Sequence, residues 1–416
     1  MKIVIATAVY YPMTNGVAVF SHNLARGLAE RGHDVLVLCP SQDGKKTVKD
    51  DDGAKVYYLR SVDVKVYPDQ INDVPPKKKL LGKEMPHLLY RKGFKVSVFP
   101  IGEVKAILDI FRPDVVHVQV SDPIGLSVVS YARKNDIPVV TTEHNQPEVL
   151  TDPLKVPRLM KKPINALLSA YFRNRQSKSD FVTMPTEQAI HHLLAERELG
   201  VPVAAVSNGV DLKNFKPGKA DAAIYQKYGI DKDKKIALYV GRVDPEKKVG
   251  LVISAFNEAR LKLSKTELVI VGDGVDRPRL EQMVKKEGIP DVKILGRVMP
   301  PDLYELYKLG DVFVTASEIE TQGIVLIEAA ASGLPLIAVD KGAVSEVCQN
   351  DENGYLCTAG SVEEITEAMV KILGDDSLRE KFSKKSLEIA KEHDFETTLD
   401  RFINIYNHVI HEKAGK

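Results

Sequence analysis

Cysteine is scarce in this 416-residue chain, which has only Cys39, Cys348 and Cys357. Three scattered thiols suit neither a disulfide framework nor a zinc cluster, so each reads as a small core residue and a reducing cytoplasm is expected. Long apolar runs are missing too. No stretch approaches the ~18 consecutive apolar residues of a membrane span. The opening run Ile3–Val9 is short and leads into a Pro/Asn/Gly turn, which favours a buried first strand over a signal core. Net charge is almost absent, 58 Lys and Arg against 57 Asp and Glu, so the chain lacks the strong basic excess that marks a nucleic-acid binder. The balance is uneven along the chain, because residues 1–200 hold 28 basic and 22 acidic side chains. The first half is therefore the one suited to an anionic surface. There are no internal repeats and no low-complexity tracts. No G-x-G-x-x-G follows the first strand, which speaks against a dehydrogenase. No D-x-D pair stands where a metal could serve a site; Asp50-Asp51-Asp52 lies beside a glycine and reads as a solvated turn. Metal independence is expected.

With 44% hydrophobic residues, a chain of this length can bury two cores of roughly 200 residues each. Strand-like and helical runs alternate through the first half, as in Ile3–Val9, Val17–Arg31, Val35–Cys39, Val115–Val118, Gly125–Lys134 and Val139–Thr142. The second half repeats the pattern from Lys235–Val240 to Leu303–Leu309. Alternation of this kind predicts parallel β-α units and two doubly wound α/β domains. The apolar segment beginning at Val203 marks the boundary, giving domains 1–202 and 203–395. The last helix, from Glu396, is amphipathic, with Leu399, Phe402, Ile403, Tyr406, Val409 and Ile410 on one side.

The chemistry is expected between Ser317 and Gly333, where Glu320 and Glu328 flank a glycine-containing strand-to-helix turn with seven residues between them. Asp311–Ala316 reads as a buried strand and Ile324–Ala331 as a helix start, with Gly323 at the turn. A helix N-terminus presents unpaired N–H groups and the positive end of a dipole, so a phosphate is favoured there. The neighbouring carboxylates are acceptors suited to sugar and ribose hydroxyls.

The spacing Glu320, seven residues, Glu328, followed by Ala-x-Ala-x-Gly-x-Pro, resembles the E-x7-E signature of retaining family 4 glycosyltransferases. The resemblance runs along nearly the whole chain. It implies the GT-B fold, two Rossmann-like domains facing a central cleft, with the C-terminal helix 396–416 returning to the N-terminal, acceptor-binding domain and a nucleotide sugar held by the C-terminal one. Glu320 would bind hydroxyls of the donor hexose, the backbone at Gln322, Gly323 and Ile324 would approach the sugar and phosphate, and Glu328 would accept from the ribose. In the loop Tyr10–Val17 the family often carries a glycine pair; here Asn15-Gly16 replaces it and only Gly16 transfers, an ordinary tight turn being the plainer alternative. His144, after a buried strand, matches the family's histidine near the donor sugar, whereas His117 reads as a satisfied core group. Arg242 and Lys247 match a G-R-x-(x)-P-E-K pattern and would stabilise the leaving diphosphate; a solvated basic turn is the alternative. Lys248 stands where many relatives have glycine, which leaves open which lysine reaches the phosphate. Gly272 and Gly274 end a strand near the expected nucleotide, and Arg297-Val298 resembles the segment that meets the base. A front-face displacement is implied, with the leaving phosphate deprotonating the acceptor.

Thr321-Gln322 stands where the family often has glycine-phenylalanine, a variant closer to the glycolipid-forming members. Basic residues interleave with Leu, Tyr and Phe around Lys77, Lys78, Lys79, Arg91 and Lys92, and a second group includes Lys161 and Lys162. Such interleaving suits an anionic lipid surface, the alternative being exposed loops of ordinary charge. The expectation is a peripheral enzyme on the cytoplasmic face of the membrane. It would move glucose from UDP-glucose to diacylglycerol or a related lipid, with no bound cofactor. A GDP-mannose-type donor with phosphatidylinositol, a cell-wall or a soluble acceptor is the main rival. A UDP-GlcNAc 2-epimerase and a non-catalytic nucleotide-binding module are alternatives from other classes.

Overall fold

The computed structural model describes residues 1–416 except 12, 14, 65–78, 81–82, 85–93, 120–121, 145–157, 195–197 and 416. The chain divides into two compact units, Met1–Ser207 with Thr398–Lys416, and Asn208–Thr397. Each is built on a sheet whose central strands are short, apolar and buried.

The first sheet contains β1 (Lys2–Ala6), β2 (Asp34–Pro40), β3 (Thr47–Asp51), β4 (Ala54–Leu59), β9 (Val115–Val118), β10 (Val139–Thr142), β11 (Phe181–Met184) and β12 (Val203–Ala205), in the order β12-β11-β10-β9-β1-β2-β4-β3. Two short ribbons, β5 (Val62–Val64) with β8 (Phe94–Val96) and β6 (Lys79–Leu80) with β7 (Lys83–Glu84), stand apart from it. All neighbours in the main sheet are parallel except β3 and β4. Those two are joined through Asp52 and Gly53, both at positive φ (51° and 83°), the geometry of a two-residue hairpin turn. The Asp50–Asp52 run is thus a hairpin end, and Asp51 accepts from or pairs with His22 Nδ1 at 3.1 Å. The strand Val203–Ala205, assigned from sequence to the second domain, pairs with β11 and forms an edge of the first sheet. Its apolar residues read equally well as the start of a new domain, and only the pairing partner decides.

The segment Thr398–Lys416 packs in the first unit, with Leu399, Phe402, Tyr406 and Val409 buried on one face. His117 Nδ1 hydrogen-bonds Tyr406 Oη at 2.6 Å, and His117 Nε2 meets Thr142 Oγ1 at 2.6 Å. His117 is accordingly a satisfied core group, held neutral because burial, aided by His144, lowers its pKa to about 3.

The second sheet contains β13 (Lys235–Val240), β14 (Thr266–Val271), β15 (Val292–Gly296), β16 (Val312–Val314), β17 (Leu336–Val339) and β18 (Gly354–Cys357). Its order is β15-β14-β13-β16-β17-β18, all parallel. Strand alternation sends Leu238, Val269, Phe313 and Leu336 into one core and Ala237, Leu268, Val312 and Ile337 into the other. Helices cover both faces, as buried parallel sheets require. The strand order reverses between β13 and β16, and open α/β sheets bind ligands beyond the carboxyl ends of the strands at that point.

Candidate active site

Both segments singled out for chemistry in the second unit emerge at that reversal. After β13 come Gly241, Arg242 and the 3₁₀ turn Pro245–Lys247; after β16 come Ser317 to Gly323 and the helix Ile324–Ala331. Lys247 crosses from the first to the second: its Nζ lies 2.6 Å from Glu320 Oε1, 3.3 Å from Ser317 Oγ and 3.3 Å from the Ile319 carbonyl. An ammonium has three N–H donors, so these contacts account for all of them. The ion pair is only 15% exposed at each partner, which strengthens it relative to a surface pair.

Lys248 does something different. It adopts a left-handed conformation (φ 53°) between the 3₁₀ turn and the helix Val249–Ala259, and its Nζ stands 3.6 Å from Glu318. The residue type noted at this place in relatives, glycine, is the one that adopts this φ without a Cβ penalty. Lys248→Gly is expected to raise stability by up to about 1 kcal/mol, read as a higher urea midpoint at unchanged slope. A lower midpoint would mean that the pair with Glu318 outweighs the backbone strain.

Arg242 is clasped by Asp244 and, at 2.8 Å, by Glu246, while its carbonyl accepts from the buried Tyr239 hydroxyl at 2.7 Å. Burial opposes its charge, but Asp244, Glu246 and Glu320 outweigh that and raise its pKa. Gly272 and Gly274 hold the neighbouring loop in place. A Cβ on Gly272 would sit 1.8 Å from the Gly241 carbonyl oxygen, and one on Gly274 2.2 Å from that of Val243. The space these two glycines leave is thus filled by the chain itself. Arg297 is exposed and Val298 half-buried against the core.

Gly323 caps the helix Ile324–Ala331 at φ 72°, a conformation glycine adopts readily. Gln322 is buried and accepts from the Asn208 backbone N–H at 3.1 Å. Five residues into that helix, Glu328 accepts from Tyr307 Oη at 2.6 Å. Burial pushes the Glu328 carboxyl up to about 7, with the Tyr307 hydrogen bond acting against it. Tyr307 and Gly342 were not singled out by sequence. Tyr307 reads as one more apolar residue of the helix Asp302–Leu309. Gly342 lets the chain approach the Glu320 carbonyl, which a Cβ would meet at 2.6 Å.

In the first unit, His144 is buried with Nε2 at 2.7 Å from Gln119 Oε1 and its ring edge-on to Phe20. Burial lowers its pKa to about 3, so it is a neutral hydrogen-bonding imidazole at physiological pH. Gly16 is the first residue of the helix Gly16–Glu30, capped by Asn15, whose side chain accepts from Ala18 N at 2.8 Å. It therefore sits at a helix N-terminus and not in the left-handed turn that glycine permits.

Lys77, Lys78, Arg91 and Lys92 lie outside the described residues, and the side chains of Lys79 and Lys161 do too. Lys162 is exposed on the helix Arg158–Gln176. Exposed Met160, Leu167 and Tyr171 recur there at intervals of seven and four, which places them on one face. No helix among the described residues is long and apolar enough to cross a membrane.

The chain matches two family models, "Glycosyltransferase Family 4" over residues 14–214 and "Glycosyl transferases group 1" over residues 221–388. It is 25% identical over 397 residues to the alpha-monoglucosyldiacylglycerol synthase of Acholeplasma laidlawii, covering 93% of this chain and 92% of that one. It is 26% identical to the N-acetyl-alpha-D-glucosaminyl L-malate synthase of Bacillus anthracis, covering 98% and 97%. Its fold matches that of Anabaena HepE solved with UDP-glucose, at a TM-score of 0.69 and 15% identity over 98% of this chain and all of the other.

Proposed function

We propose, for a chain that is a family 4 glycosyltransferase with the GT-B fold, that it retains anomeric configuration and moves glucose from UDP-glucose to a neutral lipid such as 1,2-diacylglycerol. The observation that carries the transferase chemistry is the convergence of Lys247, Glu320 and the Gly323-capped helix at the strand reversal of the second sheet. In this reading the helix N-terminus and the Arg242 and Lys247 cations take the diphosphate, Glu320 takes hexose hydroxyls and Glu328 takes the ribose. The bond from the anomeric carbon to the diphosphate oxygen breaks, the acceptor oxygen forms its bond on the same face, and its proton passes to the departing phosphate. No protein nucleophile and no metal is needed, since fixed cations carry the charge that develops. His144, uncharged, positions a hydroxyl and does not add to the positive field.

The lipid acceptor and a cytoplasmic, peripheral membrane location rest on the exposed apolar face of Met160, Leu167 and Tyr171, with the exposed Lys162 on the opposite side of the same helix, an amphipathic pattern suited to the interface of an anionic bilayer. The glucolipid-forming relative is consistent with it. The malate-linked relative favours a second reading, a soluble acceptor. Labelled nucleotide sugars incubated with and without anionic liposomes containing diacylglycerol separate the two. Label extracted into the organic phase, with UDP-glucose alone and undiminished by EDTA, is expected. Label transferred only to water-soluble products would discard the lipid acceptor, and an altered nucleotide sugar without transfer would point to an epimerase.

A further inference from the structure

The cations at the strand reversal of the second sheet are outnumbered by their own partners. Asp244 and Glu246 hold Arg242, and Glu320 holds Lys247, which sets three carboxylates against two cations. Lys248 does not change the balance, because Glu318 matches it. A diphosphate brings further negative charge, and like charges at contact distance repel. One carboxylate must therefore leave its cation before a diphosphate is held.

The surroundings distinguish Asp244 from Glu246. Asp244 precedes the 3₁₀ turn Pro245–Lys247, a place where aspartate commonly caps, yet its side chain makes no capping bond. One of its oxygens goes to Arg242 Nη1 and the other accepts from the Val275 backbone N–H at 3.0 Å. Val275 lies in the loop after β14, which is laced to the loop after β13. Val243 N donates to the Asp273 carbonyl at 2.9 Å, and Asp276 N donates to the Val243 carbonyl at 3.0 Å. Gly274 leaves room for the carboxylate, since a Cβ there would stand 2.7 Å from Asp244 Oδ1. The Asp244 carbonyl accepts from Lys247 N at 2.9 Å, so this residue ties together Arg242, the β14 loop and the lysine turn. Glu246 lacks such ties. It is more exposed, 29% against 16%, and Arg242 Nη2, at 2.8 Å, is its one side-chain partner among the described residues. Rotation of its own side chain takes it into water with no backbone bond broken.

We propose that Arg242 keeps Asp244 and exchanges Glu246 for the diphosphate. Asp244 is then a positioning residue that aims the guanidinium, and Glu246 sets donor affinity by competing for the same N–H groups. The planar fork of a guanidinium permits this, Nη1 staying on Asp244 while Nη2 turns to phosphate oxygens. The inference rests on the reading that Arg242 meets the diphosphate.

Either carboxylate, once neutralised, removes one negative charge from beside Arg242, yet opposite results are expected. The probes are inorganic pyrophosphate, which needs no base, and UDP, each titrated calorimetrically into the full chain. Glu246→Gln is expected to tighten both by about threefold. Asp244→Asn, which keeps an oxygen for the Val275 N–H, is expected to weaken both by about tenfold. In an Arg242→Ala background Asp244→Asn should no longer weaken binding, because it acts through the guanidinium; a purely fold-supporting role would persist there. Pyrophosphate binding that is unchanged or weaker in Glu246→Gln, undiminished in Asp244→Asn, or absent from wild type overturns the exchange. If Asp244→Asn fails to fold, Glu246→Gln decides. Full pyrophosphate affinity in Arg242→Ala would reject Arg242 as a diphosphate ligand and the exchange with it. The expected pyrophosphate pattern without UDP binding would support the exchange and reject only the uridine donor.

Discussion

Lys247→Ala is expected to lower glycosyl transfer about a thousandfold, at the upper end of what one electrostatic stabiliser contributes. Two losses combine in this variant. The ammonium is the cation proposed to meet charge on the departing diphosphate, and in the free protein it also fixes the loop that carries Glu320, through contacts to Glu320, Ser317 and Ile319. Removing it leaves Glu320, 15% exposed, without its counter-ion. Melting curves must therefore accompany the kinetics, because an unpaired, largely buried carboxylate is destabilising. The two roles separate in a double-mutant cycle with Glu320→Gln. Residues acting as one unit are strongly non-additive, so the double variant is expected to be little worse than Lys247→Ala alone, with the larger part of the loss in kcat. A Lys247→Ala protein that folds and keeps more than a tenth of wild-type turnover would restrict Lys247 to loop support and return the diphosphate to Arg242.

The sequence carried the fold far because the central strands, such as β1, β9, β10, β14 and β17, are short, apolar, buried runs, and parallel sheets need little else. It marked Arg242, Lys247 and Glu320 as candidates because they sit at strand-to-helix turns carrying glycine or proline, and Glu328 by its spacing from Glu320, seven residues lying between them, which puts it within the helix Ile324–Ala331. What it could not carry was partnership. Arg242 reads as a free cation, yet Asp244 and Glu246, two and four residues away, clasp it. Tyr307 is one apolar position among many until its hydroxyl is seen on Glu328. Gly272 and Gly274 read as flexible positions near the nucleotide, and the carbonyls of Gly241 and Val243 that close against them are invisible in the sequence. Strand identity depends on hydrogen-bonded neighbours too, which is why Val203–Ala205 fell on the wrong side of a boundary drawn from hydropathy. Periodicity and turn chemistry are local and legible, and pairing across dozens of residues is not.

Glu328→Gln is expected to separate stability from donor binding, with opposite signs. Glu328 titrates near 7 in the folded chain, against an ordinary value of 4.5, chiefly because it is buried. A raised folded-state pKa means that the native protein holds the proton more tightly than the unfolded one. The stabilisation it contributes is complete below about 4.5 and is lost as pH rises through about 7. At pH 8 the wild type carries this half-buried charge, at a cost of up to about 3 kcal/mol. Glutamine is neutral throughout and still accepts from Tyr307. The variant should thus match wild type near pH 4.5 and exceed it at pH 8 by up to that amount, measured by urea denaturation at both values. Binding of UDP-glucose should move the other way. A ribose hydroxyl donating to a carboxylate is worth roughly 1.5–3 kcal/mol, so the variant should bind about 10- to 100-fold more weakly at pH 8. UDP-glucose is the correct probe because its diphosphate, esterified at both ends, has no ionisation near neutrality to confuse the profile. Wild-type affinity should climb as pH passes through 7 and that of the variant should stay flat. A variant no more stable than wild type at pH 8 would show that Glu328 is solvated or paired in solution, and an unchanged UDP-glucose affinity would remove it from the ribose site.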